Sequence, residues 1–107
     1  MASWVRLVQE AVLSSPTGVA LLTDMMQERE VIRNETLLLL AALTRANEEM
    51  KKLVVFEGAF DRLFALVREE GGADGGIVVA DCLALMANLL RDNASNQARH
   101  KIQLPSP

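Results

Sequence analysis

Apolar residues recur along this chain at three- and four-residue spacing, the period of an amphipathic helix. Trp4, Leu7, Val8, Ala11 and Val12 predict a first helix over residues 3–13. Ser15-Pro16 has the form of an N-cap followed by proline in the first helical position. It predicts a second helix over 17–27 with Val19, Leu22, Met25 and Met26 turned inward. A third, over 30–45, is apolar around most of its circumference, which suits the middle of a helical stack. Asn47 is placed to cap a fourth, where Glu48 precedes Lys51 and Lys52 at helical pairing distance and Leu53, Val54 and Phe56 form the buried side. The chain turns at Gly58 into a fifth helix carrying Phe60, Leu63, Phe64, Leu66 and Val67, which Gly71-Gly72 ends. A second long apolar helix follows over 77–91, and Asn93-Ala94-Ser95-Asn96 opens another segment of the same kind. The expectation is five or six helices, no strand, and a buried Cys82.

The two long helices are copies. At a spacing of about 46 residues Val31 matches Ile77, Ile32 Val78, Glu35 Asp81, Leu37 Leu83, Leu40 Met86, Leu43 Leu89, Arg45 Arg91 and Asn47 Asn93. The helices before them align at about 41 residues, Val19 with Phe60 and Leu22 with Leu63, and the glycine loop 71–76 takes up the difference. Helical units of about 40–47 residues mark armadillo and HEAT arrays, whose units bury their apolar faces against one another. The fold class is therefore all-α, an armadillo/HEAT-like α-solenoid fragment of about two repeats. Such stacks bind other proteins far more than they catalyse.

Composition narrows the function further. With 107 residues the chain holds one domain at most, or a piece of a longer array. Half of it is apolar and 4% aromatic, which favours packed helices over a sandwich. A net charge of −3, with Lys and Arg scattered among acids, gives neither a nucleic-acid footprint nor a polybasic membrane patch. One cysteine excludes an internal disulfide and fits a reducing compartment. The longest uninterrupted apolar run is 37–43. A membrane-spanning helix needs roughly 20 residues of that kind. Gln9 and Glu10 break any signal-peptide core.

Few residues invite chemistry. The loop Gly71-Gly72-Ala73-Asp74-Gly75-Gly76 lacks the strand before it and the Gly-Lys-Ser/Thr after it that a phosphate loop needs, and reads as a flexible connection. Asp74 alone cannot furnish a calcium site. His100 lies in a polar tail and Cys82 in an apolar run, so a zinc site or a thiol–imidazole pair is not expected. Glu48-Glu49 and Glu69-Glu70 sit at helix ends without an apolar pocket to raise a carboxyl pKa. No catalytic residue, metal or cofactor is expected. One stripe is left as a candidate partner-binding groove: Asn34, Leu38, Ala42 and Arg45 on the first long helix, with Ala80, Ala84, Asn88 and Arg91 on the second. Small side chains edged by Asn and Arg would leave a shallow trough with exposed donors.

Several runs are more specific than repeat patterning. These are Ser15-Pro16-Thr17-Gly18-Val19, Arg29-Glu30-Val31-Ile32-Arg33-Asn34, Leu37-Leu38-Leu39-Leu40, Val55-Phe56-Glu57-Gly58-Ala59-Phe60, Asp74-Gly75-Gly76-Ile77-Val78-Val79 with Asp81-Cys82-Leu83, and Ser95-Asn96-Gln97. From about Val8 to Gln97 the chain resembles the armadillo-like globular head of the Uso-type golgin tethers, the general vesicle-tethering factors of the early secretory pathway. The resemblance implies a non-enzymatic interaction module in ER-to-Golgi and intra-Golgi transport. It also implies partners among Rab-family GTPases, SNAREs and Golgi tethering components, and a cytoplasmic place peripheral to Golgi and vesicle membranes. It divides the chain into repeats over 1–97 and a divergent tail over 98–107, expected to be frayed or disordered, as in a fragment or splice product. A generic armadillo adaptor for peptides, as in nuclear import, is the alternative. The groove tryptophans of import receptors are replaced here by Leu38 and Ala84, and only Asn88 keeps their asparagine.

The outer face of the last long helix has only residues 95–102 to cover it, with Ala98 and Ile102 as apolar contacts. The chain is therefore expected to be marginally stable or to self-associate through this end.

Overall fold

The computed structural model describes residues 2–91 and 93–103, excepting the side chains of 2, 3 and 99–103. Seven α-helices are present among them: α1 (Ala2–Ser14), α2 (Gly18–Asp24), α3 (Glu30–Thr44), α4 (Glu48–Phe56), α5 (Ala59–Glu69), α6 (Gly76–Leu90) and α7 (Ala94–Gln103). There are 3-10 turns at Met25–Gln27 and Gly72–Gly75, and no strand among the described residues. The helix count exceeds the five or six expected because α7 is a full helix. It also runs through Gln97, where the sequence pattern breaks.

The repeat is visible atom by atom. Asn47 Oδ1 accepts the amide of Met50 at 2.9 Å, and Asn93 Oδ1 accepts that of Asn96 at 3.1 Å. Both α4 and α7 thus open with the same asparagine cap. Arg45 and Arg91 end the long helices with backbone angles of −65°/123° and −65°/125°. Asn88 Nδ2 donates to the Ala41 carbonyl at 2.8 Å, and nearer the helix starts Arg33 of α3 lies close to Cys82 of α6, so the two helices run side by side, parallel and nearly in register. α4 and α5 close the layer beneath them. Phe60, Leu63, Met50, Val54, Leu37, Leu40, Leu43, Leu85 and Leu89 form its fully buried centre. Cys82 is buried there too, in the place of Thr36.

Several local expectations are corrected. Ser15-Pro16 forms a turn, and α2 starts at Gly18 after an N-cap Thr17 that makes no side-chain bond. The end of the second helix tightens into a 3-10 turn, which buries Met26 but leaves Met25 exposed. In α1 the inward face is Val5, Val8, Val12 and Gln9, while Trp4, Leu7 and Ala11 face outward. Gln9 reaches across to the Leu43 carbonyl at 2.8 Å. That bond satisfies one of the carbonyls that a helix end leaves free. Phe56 is exposed, because Val54 and Val55 turn the buried side of α4 away from it.

The glycine loop forms a 3-10 turn. A Cβ on Gly75 would stand 2.9 Å from the Glu70 carbonyl and strike the Val79 side chain. The close approach of α5 to α6 therefore demands glycine there. Gly58, at φ +89°, turns α4 into α5. By length and mean hydropathy, residues 72–90 do form one stretch apolar enough to cross a membrane. Its Val79, Cys82, Leu85, Met86 and Leu89 are packed inside the protein.

Lys51 makes the largest departure from expectation. It pairs with no acid among the described residues. It lies buried, its ammonium donating to the Arg91 carbonyl at 2.9 Å. A cation at the end of α6 complements the negative pole of that helix. Asn96 Nδ2 donates to the Leu89 carbonyl at 2.8 Å and Gln97 Nε2 to the Leu90 carbonyl at 2.9 Å. Three successive carbonyls at the end of α6, which the helix itself cannot satisfy, thus find partners. The expected contact at Ala98 is absent, since Ala98 is exposed. The Ile102 side chain lies outside the described residues. Among the described side chains, polar ties from Lys51, Asn96 and Gln97 join the end of α6 to its neighbours.

Candidate functional site

Parallel packing at the repeat spacing puts equivalent residues of α3 and α6 next to each other, so both helices present the same edge to solvent. Val31, Glu35, Leu38 and Arg45 are exposed on α3 with Ala42 half-buried between them; Ile77, Ala84 and Arg91 are exposed at the matching positions of α6. The stripe read from the sequence lies on this face and along its α6 side.

Its members divide by what they touch. Leu38 is half exposed, and its counterpart Ala84 is exposed beside it, which leaves a low step in the floor. Ala80 is exposed. Asn34 is half-buried, its Oδ1 accepting from Arg33 Nε at 3.1 Å. Asn88 is buried, its amide spent on the Ala41 carbonyl and its Oδ1 accepting from Arg91 Nη1 at 3.3 Å. It cannot serve as an exposed donor. Arg45 and Arg91 remain the cations of the face, both exposed at the C-terminal ends of the long helices. The floor is thus short and apolar, with positive charge at one end.

A cleft of about 290 Å3 lies on the opposite side of α3, among Met26, Glu28, Arg33, Arg62, Leu66 and Glu69. Its arginines are engaged. Arg62 pairs with Asp24 at 2.7 Å and also donates to the Thr23 carbonyl, and Arg33 pairs with Glu70 at 3.3 Å. These bonds tie α2 and α3 to α5. Burial pushes the Cys82 thiol up to about 11, the nearby Arg33 opposing and Asp81 and Glu70 adding to it. At neutral pH it is therefore a protonated core thiol. Among the described residues no group of three or more His, Cys, Asp or Glu gathers to hold a metal. The side chain of His100 lies outside them.

Sequence periodicity located the long-helix face but missed the buried roles of Asn88, Asn96 and Lys51. The one available signal was the recurrence of Asn47 at Asn93, which marks α7 as the start of a further unit.

No protein-family model matches the chain. Over 91 residues, 84% of its length, it is 56% identical to the general vesicular transport factor p115 of Homo sapiens, of which it spans 10%. Golgin candidate 6 of Arabidopsis thaliana is 59% identical over 76 residues, 71% of this chain and 8% of that protein. Among solved structures, the crystal structure of Uso1-1 superposes with a TM-score of 0.80 at 41% identity, covering 84% of this chain and 14% of its own. The chain spans about a tenth of the length of the curated relatives it matches.

Proposed function

The homologues of this chain are the p115/Uso1 vesicular transport factors, and on that footing we propose that it is a non-enzymatic interaction module of a vesicle-tethering head, with the exposed face of α3 and α6 as its docking surface. Those relatives are transport factors and not enzymes. The observation that carries the reading is the pair Arg45 and Arg91. Both are exposed, at equivalent ends of parallel helices, at the edge of a floor made by Leu38, Ala42 and Ala84. A segment presenting acids beside a short aliphatic stretch is the complement of that surface. Rab-family GTPases, SNAREs and Golgi tethering components are the proposed partners. They would hold the protein at Golgi and vesicle membranes from the cytoplasmic side without any insertion of its own.

Asn34 and Asn88 support the face from below, and Ala80 widens it on the α6 side. The import-adaptor alternative gains nothing from the geometry, because the asparagine it would need at position 88 is consumed within the protein. The test is retention of purified Rab-family GTPases and SNARE proteins on the immobilised chain. Arg45→Glu with Arg91→Glu should reduce retention at least about tenfold, the loss of two rim charges and their reversal. Equal retention by wild type and variant would remove the face from the function. Retention of importin-type cargo in place of these proteins would favour the alternative.

A further inference from the structure

The two copies of the repeat separate the surface open in every unit from the sides that neighbouring units cover. α3 has its follower α6 beside it, and α6 has its predecessor α3. A position exposed in both copies is therefore left open by the unit on either side. Val31 and Ile77 are such a pair, at 75% and 79% exposed, and so are Leu38 with Ala84 and Arg45 with Arg91. Glu35 is exposed, and its equivalent Asp81 is half-buried. Seven-residue steps bring Val31, Leu38 and Arg45 onto nearly one line of α3, and Ile77, Ala84 and Arg91 onto the same line of α6. Both helices then read alike from their starts: aliphatic, acidic at Glu35 and Asp81, apolar again, and cationic at the end. At 1.5 Å per residue the aliphatic pair lies about 21 Å from the arginines, and the acidic pair about 15 Å from them.

We propose that this face seats an amphipathic partner helix, lying along the furrow between α3 and α6 and running antiparallel to both, with acids in its opening turns, an apolar stripe, and lysine or arginine in its closing turns. The order of charges argues for an occupant aligned with the furrow. An extended segment crossing the long helices meets like residues in successive units, acid after acid or arginine after arginine. A segment along the furrow meets opposite charges about 15 Å apart, which a helix matches with residues about ten apart at the same rise. Two effects of the same sign set its direction. Acids at its N-terminal end face Arg45 and Arg91, while basic residues at its C-terminal end face Glu35 and Asp81. That distribution is also the one a helix favours for its own dipole, and the antiparallel alignment opposes this dipole to those of α3 and α6. Val31 and Ile77, which the candidate stripe lacked, become the apolar seat at the basic end. The occupant is specified on the footing of the docking face proposed above, to which it adds shape and direction.

The probe is a fluorescein-labelled synthetic helix of about 18 residues, long enough for both charge rows at 1.5 Å per residue, with a leucine stripe, glutamates in its opening turns and lysines in its closing turns. A second peptide exchanges the glutamates and lysines, and hydrocarbon staples hold both equally helical, as circular dichroism verifies. Titrated with the full chain, the first should bind at least about tenfold tighter than the second. Arg45→Glu with Arg91→Glu should bring the two affinities within about twofold of each other. Val31→Gln with Ile77→Gln should weaken the first peptide at least about tenfold. All four side chains are exposed, and circular dichroism checks that the variants stay folded. A nitroxide at the N-terminus of the first peptide needs no variant: it should broaden the amide signals of Arg45 and Arg91 and spare those of Val31 and Ile77. Equal or tighter binding by the exchanged peptide overturns the proposal, as does broadening at Val31 and Ile77 instead. So does tighter binding by an unstapled glutamate-rich peptide that stays extended, or no binding of either helix at millimolar protein. Any of these beside retained Rab-family and SNARE proteins removes the helix and keeps the docking face. The peptide preference without that retention keeps the helix and removes those partners.

Discussion

Replacing Asn96 with alanine should cost this chain about 2–4 kcal/mol. The Asn96 side chain is 1% exposed, and its amide makes two bonds, to the Leu89 carbonyl at 2.8 Å and to the Lys51 carbonyl at 3.0 Å. The two losses differ in kind. The Lys51 carbonyl lies within α4 and keeps its place in the helical ladder, so its bond is worth the ordinary net amount of about 1 kcal/mol. The Leu89 carbonyl belongs to the last turn of α6, has no partner further along the helix, and would be stranded at a cost of roughly 1–3 kcal/mol. At roughly 2.1 cal/mol/K of unfolding entropy per residue, the sum lowers Tm by about 9–18 °C for a chain of this length. Gln97→Ala provides the contrast. Gln97 is exposed and makes one bond, to the Leu90 carbonyl. Its loss should stay near or below about 1 kcal/mol. Asn96→Asp should be as damaging as Asn96→Ala, because a carboxylate has no proton to offer either carbonyl. Urea titration followed by circular dichroism at low protein concentration measures all three. If Asn96→Ala costs no more than Gln97→Ala, the polar attachment of α7 is not what completes the end of α6.

Other outcomes follow from the same packing. Leu37→Ala should cost about 2.5–5 kcal/mol and Leu83→Ala less than about 1 kcal/mol in the monomer. The two leucines hold the same place in the repeat but differ in burial, and chemical denaturation of both variants measures the difference. The Cys82 thiol should resist an aromatic disulfide reagent at pH 8 in the folded chain and react at once in urea. Its pKa rises from 9.0 to about 11 on folding, so above pH 9 the unfolded chain releases a proton that the native one keeps. Stability should be constant below pH 9 from this source and fall by up to about 2–3 kcal/mol as pH passes 11, a decline absent in Cys82→Ala and readable from urea midpoints. Ala46, at φ +57°, holds the left-handed turn between α3 and α4. Ala46→Gly should raise stability by up to about 1 kcal/mol in the same assay.

Much of this architecture was legible before any coordinates, because the repeat supplied an internal comparison that single-helix patterning lacks. Val31 over Ile77 and Asn47 over Asn93 located both long helices and both asparagine caps. The errors came where one helix carried two apolar stripes. In α1 the spacing of Trp4, Leu7 and Ala11 is as regular as that of Val5, Val8 and Val12, and periodicity cannot say which stripe meets a neighbour. Lys51 and Asn96 escaped notice for a different reason. Each is tied to a carbonyl of a helix far along the chain, and main-chain acceptors leave no mark on a sequence. Of the candidate stripe, Leu38, Ala84, Arg45 and Arg91 reach solvent, while Asn88 is drawn inward by the carbonyl of Ala41, a contact set by the register of two helices.

The most direct measurement is the map of backbone amide shifts in a 15N-labelled chain as a purified Rab-family GTPase or SNARE protein is added. Perturbations should gather at Leu38, Ala42 and Arg45 on α3 and at Ala84 and Arg91 on α6, and vanish when both arginines are changed to glutamate. Perturbations confined to α4 and α5, or none with either class of partner, would contradict the assignment of the long-helix face to vesicle tethering.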